Sequence, residues 1–192
     1  MRDYHSLWQH SVVPVIVHLA DSDPGALAAS AGSLEDLQGV AGLEIDLPTS
    51  SSPDVDGAAR VWTVREACDL PLLVRLPLDA SDSTVRSVLD AGADTLVVGQ
   101  PPPVAHFETS GTNLIRGRFH GPAVVGLITA RLMDLVPWVD TPIIACGGIH
   151  RLEDAILYLA AGAKAVQIDT AAWVDPGLPD RIAGALSGRG TG

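Results

Sequence analysis

The stretch 142–173, PIIACGGIHRLEDAILYLAAGAKAVQIDTAAW, constrains the fold of this chain more than any other. A short apolar run leads into Gly147 and Gly148, a helical segment follows, and a second apolar run ends at Asp169, Thr170 and Ala171. Two parallel strands joined by a helix give this pattern, because a parallel pair needs a long crossover and is buried on both faces. Adjacent parallel strands bring their C-terminal turns to the same end of a sheet. Glycine there lets a backbone approach a ligand closely, and amides at a turn nest or helix start favour anions. Gly147 and Gly148 therefore read as a phosphate cradle, or else as a tight strand-to-helix turn with no ligand.

The same alternation runs through the rest of the chain. Strands are expected at 14–20, 43–47, 71–76 and 95–100, and helices at 25–38, 56–68, 83–91, 122–135 and 179–186. Ser81 and Asp82 suit a helix cap, and Pro122 suits a first helical position. Residues 101–120 read as the longest irregular stretch, with turns at Gly111 and Gly117. Six strand signals alternating with helices predict an α/β fold whose parallel sheet is covered by helices. Residues 1–13 read as an N-terminal arm or cap, 14–186 as a single domain, and 187–192 as a flexible tail.

With 192 residues and 47% hydrophobic content, the chain can bury a sizeable core. Its formal net charge of -11 argues against a nucleic-acid or anionic-membrane surface. Cys68 and Cys146 are the only cysteines, which excludes a disulfide framework and points to a reducing, cytoplasmic compartment. No metal-ligand or iron-sulfur spacing is present, and no apolar run is long enough to span a bilayer.

Strand alternation sorts the side chains. One set, including Val17, Leu19, Leu43, Ile45, Leu47, Leu72, Val74, Leu76, Val97 and Ile143, is apolar and should pack beneath the helices. The other set holds His18, Glu44, Asp46, Arg75, Gln100, Cys146, Gln167 and Asp169. A polar set that converges on one face is either a site or an internal ion network. Arg75 thus pairs with Asp46 or Glu44, or contacts a ligand. His18 is a general acid/base or a satisfied core histidine, and Cys146 is a buried small hydrophobe or a reactive thiol.

The block 142–173, with HGPAVVGLITARLMDLV at 120–136 and LEIDLPTSS at 43–51, resembles the C-terminal part of the dihydroorotate dehydrogenase family. The GGI motif followed by VQ-hydrophobic-x-T is shared with other FMN barrels, whereas GPA and LEIDLPTSS point more narrowly to the dehydrogenases. Residues 14–185 can be laid along the family from its third strand onward. The resemblance implies a TIM-barrel-type (β/α) fold, incomplete, with about six β/α units. It implies an FMN oxidoreductase of pyrimidine biosynthesis acting on a dihydropyrimidine-type small molecule. An open barrel would expose strand edges, so a homo-oligomer or a protein partner covering the open side is expected.

Carried over by motif, the resemblance places Thr49 at the catalytic base position with Ser50 beside it. Asp46, with Glu44 before it, stands where the family has an asparagine that meets pyrimidine or flavin. Arg75 replaces a flavin-contacting lysine, and Gln100 replaces a second asparagine. Gly121 of the GPA motif belongs to the cofactor set, and Gly147, Gly148 and Thr170 would hold the phosphate. Asp169 takes the place of a glycine there. A carboxylate about 5 Å from a phosphate costs roughly 3 kcal/mol per phosphate charge at an effective dielectric of about 20, which opposes FMN. The alternative reading is a non-catalytic paralogue that has lost FMN and serves as an interaction or regulatory subunit. Asp169 would then be a helix cap or an internal ion partner.

Overall fold

A computed structural model describes residues 2–20, 23–48, 53–109 and 111–189. The chain divides into two compact units, Met1–Leu96 and Val97–Gly192. The residues of the expected arm contain a helix, α1 (Arg2–Gln9).

The first unit then alternates strictly: β1 (Val15–Leu19), α2 (Pro24–Glu35), β2 (Val40–Asp46), α3 (Pro53–Ala67), β3 (Leu72–Pro77) and α4 (Asp82–Asp90). The strands are parallel, with Val17 opposite Leu43 and Leu43 opposite Leu72. Period-two alternation works as expected, since Leu43, Ile45, Leu47, Leu72, Val74 and Leu76 are at most 1% exposed. Leu27, Leu34, Val61, Val64, Val85 and Val88 of the helices are equally buried and complete this core. Capping explains two of the helix starts. Asp23 accepts from the Ala26 amide at 2.7 Å with Pro24 in the first turn, and Ser81 accepts from the Thr84 amide at 3.1 Å.

Arg65 of α3 does a job that no local pattern announces. Its guanidinium donates to the carbonyls of Leu70 at 3.1 Å and Gly92 at 3.1 Å and pairs with Asp94. Asp94 in turn accepts from the Leu72 amide at 2.8 Å, so the loops before β3 and after α4 are tied together.

β4 (Thr95–Gln100) begins in the first unit and ends in the second. The second unit continues with β5 (Pro103–Phe107), β6 (Leu114–Arg118), a 3-10 turn (Pro122–Val124), α5 (Val125–Leu135) and β7 (Ile143–Cys146). It ends with α6 (Leu152–Ala160), β8 (Ala165–Gln167), α7 (Ala171–Val174) and α8 (Leu178–Arg189). β7 and β8 are parallel, with Ala145 opposite Val166. The hydrogen-bonded strand order is β1-β2-β3-β4-β7-β8, the order of an open β/α barrel sheet.

Two expectations are corrected here. Residues 101–120 are not irregular, because β5 and β6 form an antiparallel hairpin in which Phe107 faces Leu114 and Val104 faces Gly117. Gly111 is a turn residue, with φ +76° and its amide on the Glu108 carbonyl, but Gly117 lies inside a strand. The hairpin is exposed along its whole length, so burial gave its sequence no alternation to reveal. The expectation of a tail from residue 187 is also corrected at its start: Ser187 and Gly188 continue α8, and the Ser187 hydroxyl donates to the Ala183 carbonyl at 2.9 Å. Residues 190–192 lie outside the described residues.

Candidate functional site

In the first unit, pairing register assembles the polar face. His18 lies opposite Glu44, and Asp46 lies opposite Arg75. Because Glu44 and Asp46 are two residues apart, both point to the same side of the sheet. His18 Nδ1 is 3.0 Å from Glu44 Oε1, and His18 Nε2 is 3.8 Å from Asp46 Oδ2. Arg75 Nε donates to Asp46 Oδ1 at 2.7 Å and lies 3.8 Å from Glu44 Oε1. The cluster is graded in depth, since the Glu44 side chain is 7% exposed whereas those of His18 and Asp46 are each 34% exposed. His18 is therefore not a core histidine. Its hydrogen bond to Glu44 raises its pKa, burial partly opposes this, and the charge of Asp46 adds to the rise.

His18, Glu44 and Asp46 place ligand-type atoms within 4.8 Å of one another. The two carboxylates address different ring nitrogens, and Arg75 already neutralises Asp46.

In the second unit, three left-handed glycines surround the end of β7. Gly99 has φ +138°, Gly147 +97° and Gly148 +74°. A Cβ on Gly99 would lie 1.8 Å from the Cys146 carbonyl oxygen, and one on Gly148 would lie 2.8 Å from Val125 Cγ2. Close packing thus requires glycine at 99 and 148 whether or not a ligand binds, whereas a Cβ on Gly147 would meet nothing nearer than 3.7 Å and glycine is called for there by its positive φ alone. Cys146 is 1% exposed, the buried small residue that was one of its two readings. Tyr158 donates its hydroxyl to the Gly147 carbonyl at 3.0 Å, and burial pushes its pKa far above the ordinary value.

The amides after this turn divide into two pairs. Those of His150 and Arg151 donate to Asp154 Oδ2 at 3.0 and 3.2 Å, so the start of α6 carries its own carboxylate. Among the described residues, the amides of Gly148 and Ile149 have no hydrogen-bond partner, although both residues are buried. Buried amides are rarely left so, and an anion or a water is the usual acceptor. This is the feature that fits a phosphate group.

The remaining expected residues fall as follows. Gln100 is 5% exposed at the end of β4. Gly121 has φ +109° at the entry to the 3-10 turn, with nothing within 4 Å of a Cβ. Asp169 and Thr170 are half-buried before α7, and Asp169 is not a side-chain cap: only its carbonyl engages, accepting from the Ala172 amide. Thr49 and Ser50 lie outside the described residues. Asp154 escaped the sequence reading, although Arg-Leu-Glu-Asp at a helix start offers an acceptor three residues after the cap.

The family model for dihydroorotate dehydrogenase matches residues 51–189. This chain belongs to the dihydroorotate dehydrogenase family. The catalytic subunit of dihydroorotate dehydrogenase B (NAD(+)) from Pelobacter propionicus is 31% identical over 189 residues, covering 88% of this chain and 61% of that subunit. The corresponding subunit from Desulforudis audaxviator is 30% identical over 192 residues, covering 91% and 62%. A solved dihydroorotate dehydrogenase from Eimeria tenella, in complex with ferulenol, superposes with a TM-score of 0.69 at 16% identity, over 94% of this chain and 60% of the other. At that identity the structural match speaks for the fold, an incomplete β/α barrel. The chain spans about three-fifths of the length of the curated dihydroorotate dehydrogenase relatives it matches.

Proposed function

We propose that this member of the dihydroorotate dehydrogenase family is a flavin oxidoreductase that binds FMN and acts on a dihydropyrimidine-type ring, within pyrimidine biosynthesis. The observation that carries the reading is the pair of buried amides at Gly148 and Ile149, without a hydrogen-bond partner among the described residues, just past the end of a parallel strand. Gly147 and Gly148 let the main chain reach a phosphate, and Thr170 would add a hydroxyl from the neighbouring strand end. Gln100, Gly121 and Arg75 are the candidates for the flavin, and Asp46 and Glu44 for the substrate. Thr49 or Ser50 stands at the position of the base. When bound, FMN supplies the two-electron acceptor. Cys68 and Cys146, buried and not joined in a disulfide, suit a cytoplasmic setting. A homo-oligomer or a partner would cover the open side of the sheet.

A second reading has its own observations. Arg75 donates to Asp46 at 2.7 Å, and Asp169 follows the end of β8 by two residues, next to Thr170 of the proposed phosphate turn. Both oppose flavin binding and favour a non-catalytic paralogue acting as an interaction or regulatory subunit.

Titration of FMN with purified protein, followed by flavin fluorescence quenching, separates the two. The catalytic reading expects binding at micromolar concentration or tighter, strengthened in Asp169→Gly. No binding by either protein would discard the cofactor and leave the partner reading.

A further inference from the structure

The His18 ring shows an asymmetry that a simple ion network does not need. Nδ1 is held at 3.0 Å by Glu44, a nearly buried carboxylate, whereas Nε2 stands 3.8 Å from Asp46, beyond direct hydrogen-bond range. A buried carboxylate on Nδ1 fixes the ring plane and keeps the proton of the neutral imidazole on that nitrogen, leaving Nε2 with its lone pair and with Asp46, its nearest carboxylate, beyond hydrogen-bond range. The His18 side chain is 34% exposed on β1, an end strand of the hydrogen-bonded order.

We propose that His18 is a proton-transfer residue of this face, with Glu44 as the positioning carboxylate and Nε2 as the nitrogen that meets the substrate. The proposal rests on the oxidoreductase reading above. It supplies what the resemblance leaves short, because the residue that the resemblance puts at the base position, Thr49, is a poorer base than cysteine and needs a tuned surrounding to act as one.

The charged groups facing the ring are Glu44 and Asp46 from β2 and Arg75 from β3, and β1 itself carries no other charge. With neutral His18 these groups sum to one negative charge; with imidazolium they sum to zero. Proton uptake therefore brings the cluster to balance. Arg75 holds Asp46 and so limits its competition for Nε2. In the step itself, Nε2 takes a proton from a ring carbon of the dihydropyrimidine. The electron pair of that C–H bond becomes the new C=C bond. The hydrogen on the adjacent carbon would leave with its own pair, as hydride, to the oxidant that FMN would supply, and the imidazolium returns its proton to water.

Two measurements test this. In the apo protein, histidine NMR titration should show the His18 imidazole titrating above the ordinary range near 6.5. That resonance should be absent in His18→Gln and return toward the ordinary range in Glu44→Gln. In FMN-loaded protein mixed anaerobically with dihydroorotate, His18→Gln should slow flavin reduction by about 100-fold or more at unchanged FMN affinity. It should also abolish the rise in rate as pH increases through the His18 pKa. Reduction by His18→Gln within threefold of the unaltered protein overturns the role of His18 alone. So does a His18 that titrates in the ordinary range. Failure of the unaltered protein to bind FMN, or of its bound flavin to be reduced, removes the oxidoreductase or substrate reading, and the role of His18 with it.

Discussion

Gly99 of β4 passes so close to Cys146 of β7 that a Cβ on it would sit 1.8 Å from the Cys146 carbonyl oxygen. With φ +138° as well, the position is closed to every L side chain on two independent grounds. Gly99→Ala is expected to cost about 3 kcal/mol or more, from strained backbone plus forced separation of the main chains. Urea unfolding reads this directly. A loss below about 1 kcal/mol would mean that the two main chains can part cheaply at this point.

Asp154 holds the start of α6 by accepting from the His150 and Arg151 amides. Asp154→Ala should therefore destabilise by about 1 to 2 kcal/mol, while Asp154→Asn, which keeps an acceptor oxygen, should lose less. Equal losses in the two variants would assign the effect to charge rather than to hydrogen bonding.

Arg75 and Asp46 form a partly buried, charge-assisted pair. Removing the carboxylate with Asp46→Ala should cost about 2 kcal/mol, because the guanidinium loses its partner on that side. A double-mutant cycle with Arg75→Met should give a coupling energy between about 0.5 and 3 kcal/mol, and a value near zero would show that the two side chains contribute independently.

His18 links folding to pH. Its folded-state pKa is raised, first by the hydrogen bond to Glu44, so the folded state binds a proton more tightly than the unfolded chain does. The resulting stabilisation is fully present below the ordinary histidine range near 6.5 and is lost as pH climbs through the raised folded value. The stability difference between the unaltered protein and His18→Gln should shrink across that window. A difference that stays constant or grows with pH would contradict the Glu44 contact.

Alternation made the polar face legible. His18, Glu44, Asp46 and Arg75 can be assigned to one side from the sequence because each strand carries its own period of two, and the structure puts them in contact. The hairpin β5–β6 was harder to see, since exposure removes the apolar period. Two short runs flanking Glu108, Gly111 and Asn113 were the available signal, and the Asn113 side chain does donate to Glu108 across the turn at 2.9 Å.

By itself, the sequence determined the six parallel strands and most of the helices between them, the buried positions on β2 and β3, the cluster of polar residues and the family. All of these are written in spacings of a few residues or in motifs. Only the tertiary structure decided which nitrogen of His18 faces Glu44, why Gly99 must lack a side chain, that Arg65 ties together two loops, and that Asp154 takes two of the four amides after the glycine turn. Those outcomes depend on distances between atoms whose residues lie three to nearly fifty positions apart. Residue spacing fixes a side chain's face, but the folded backbone fixes the atom it meets.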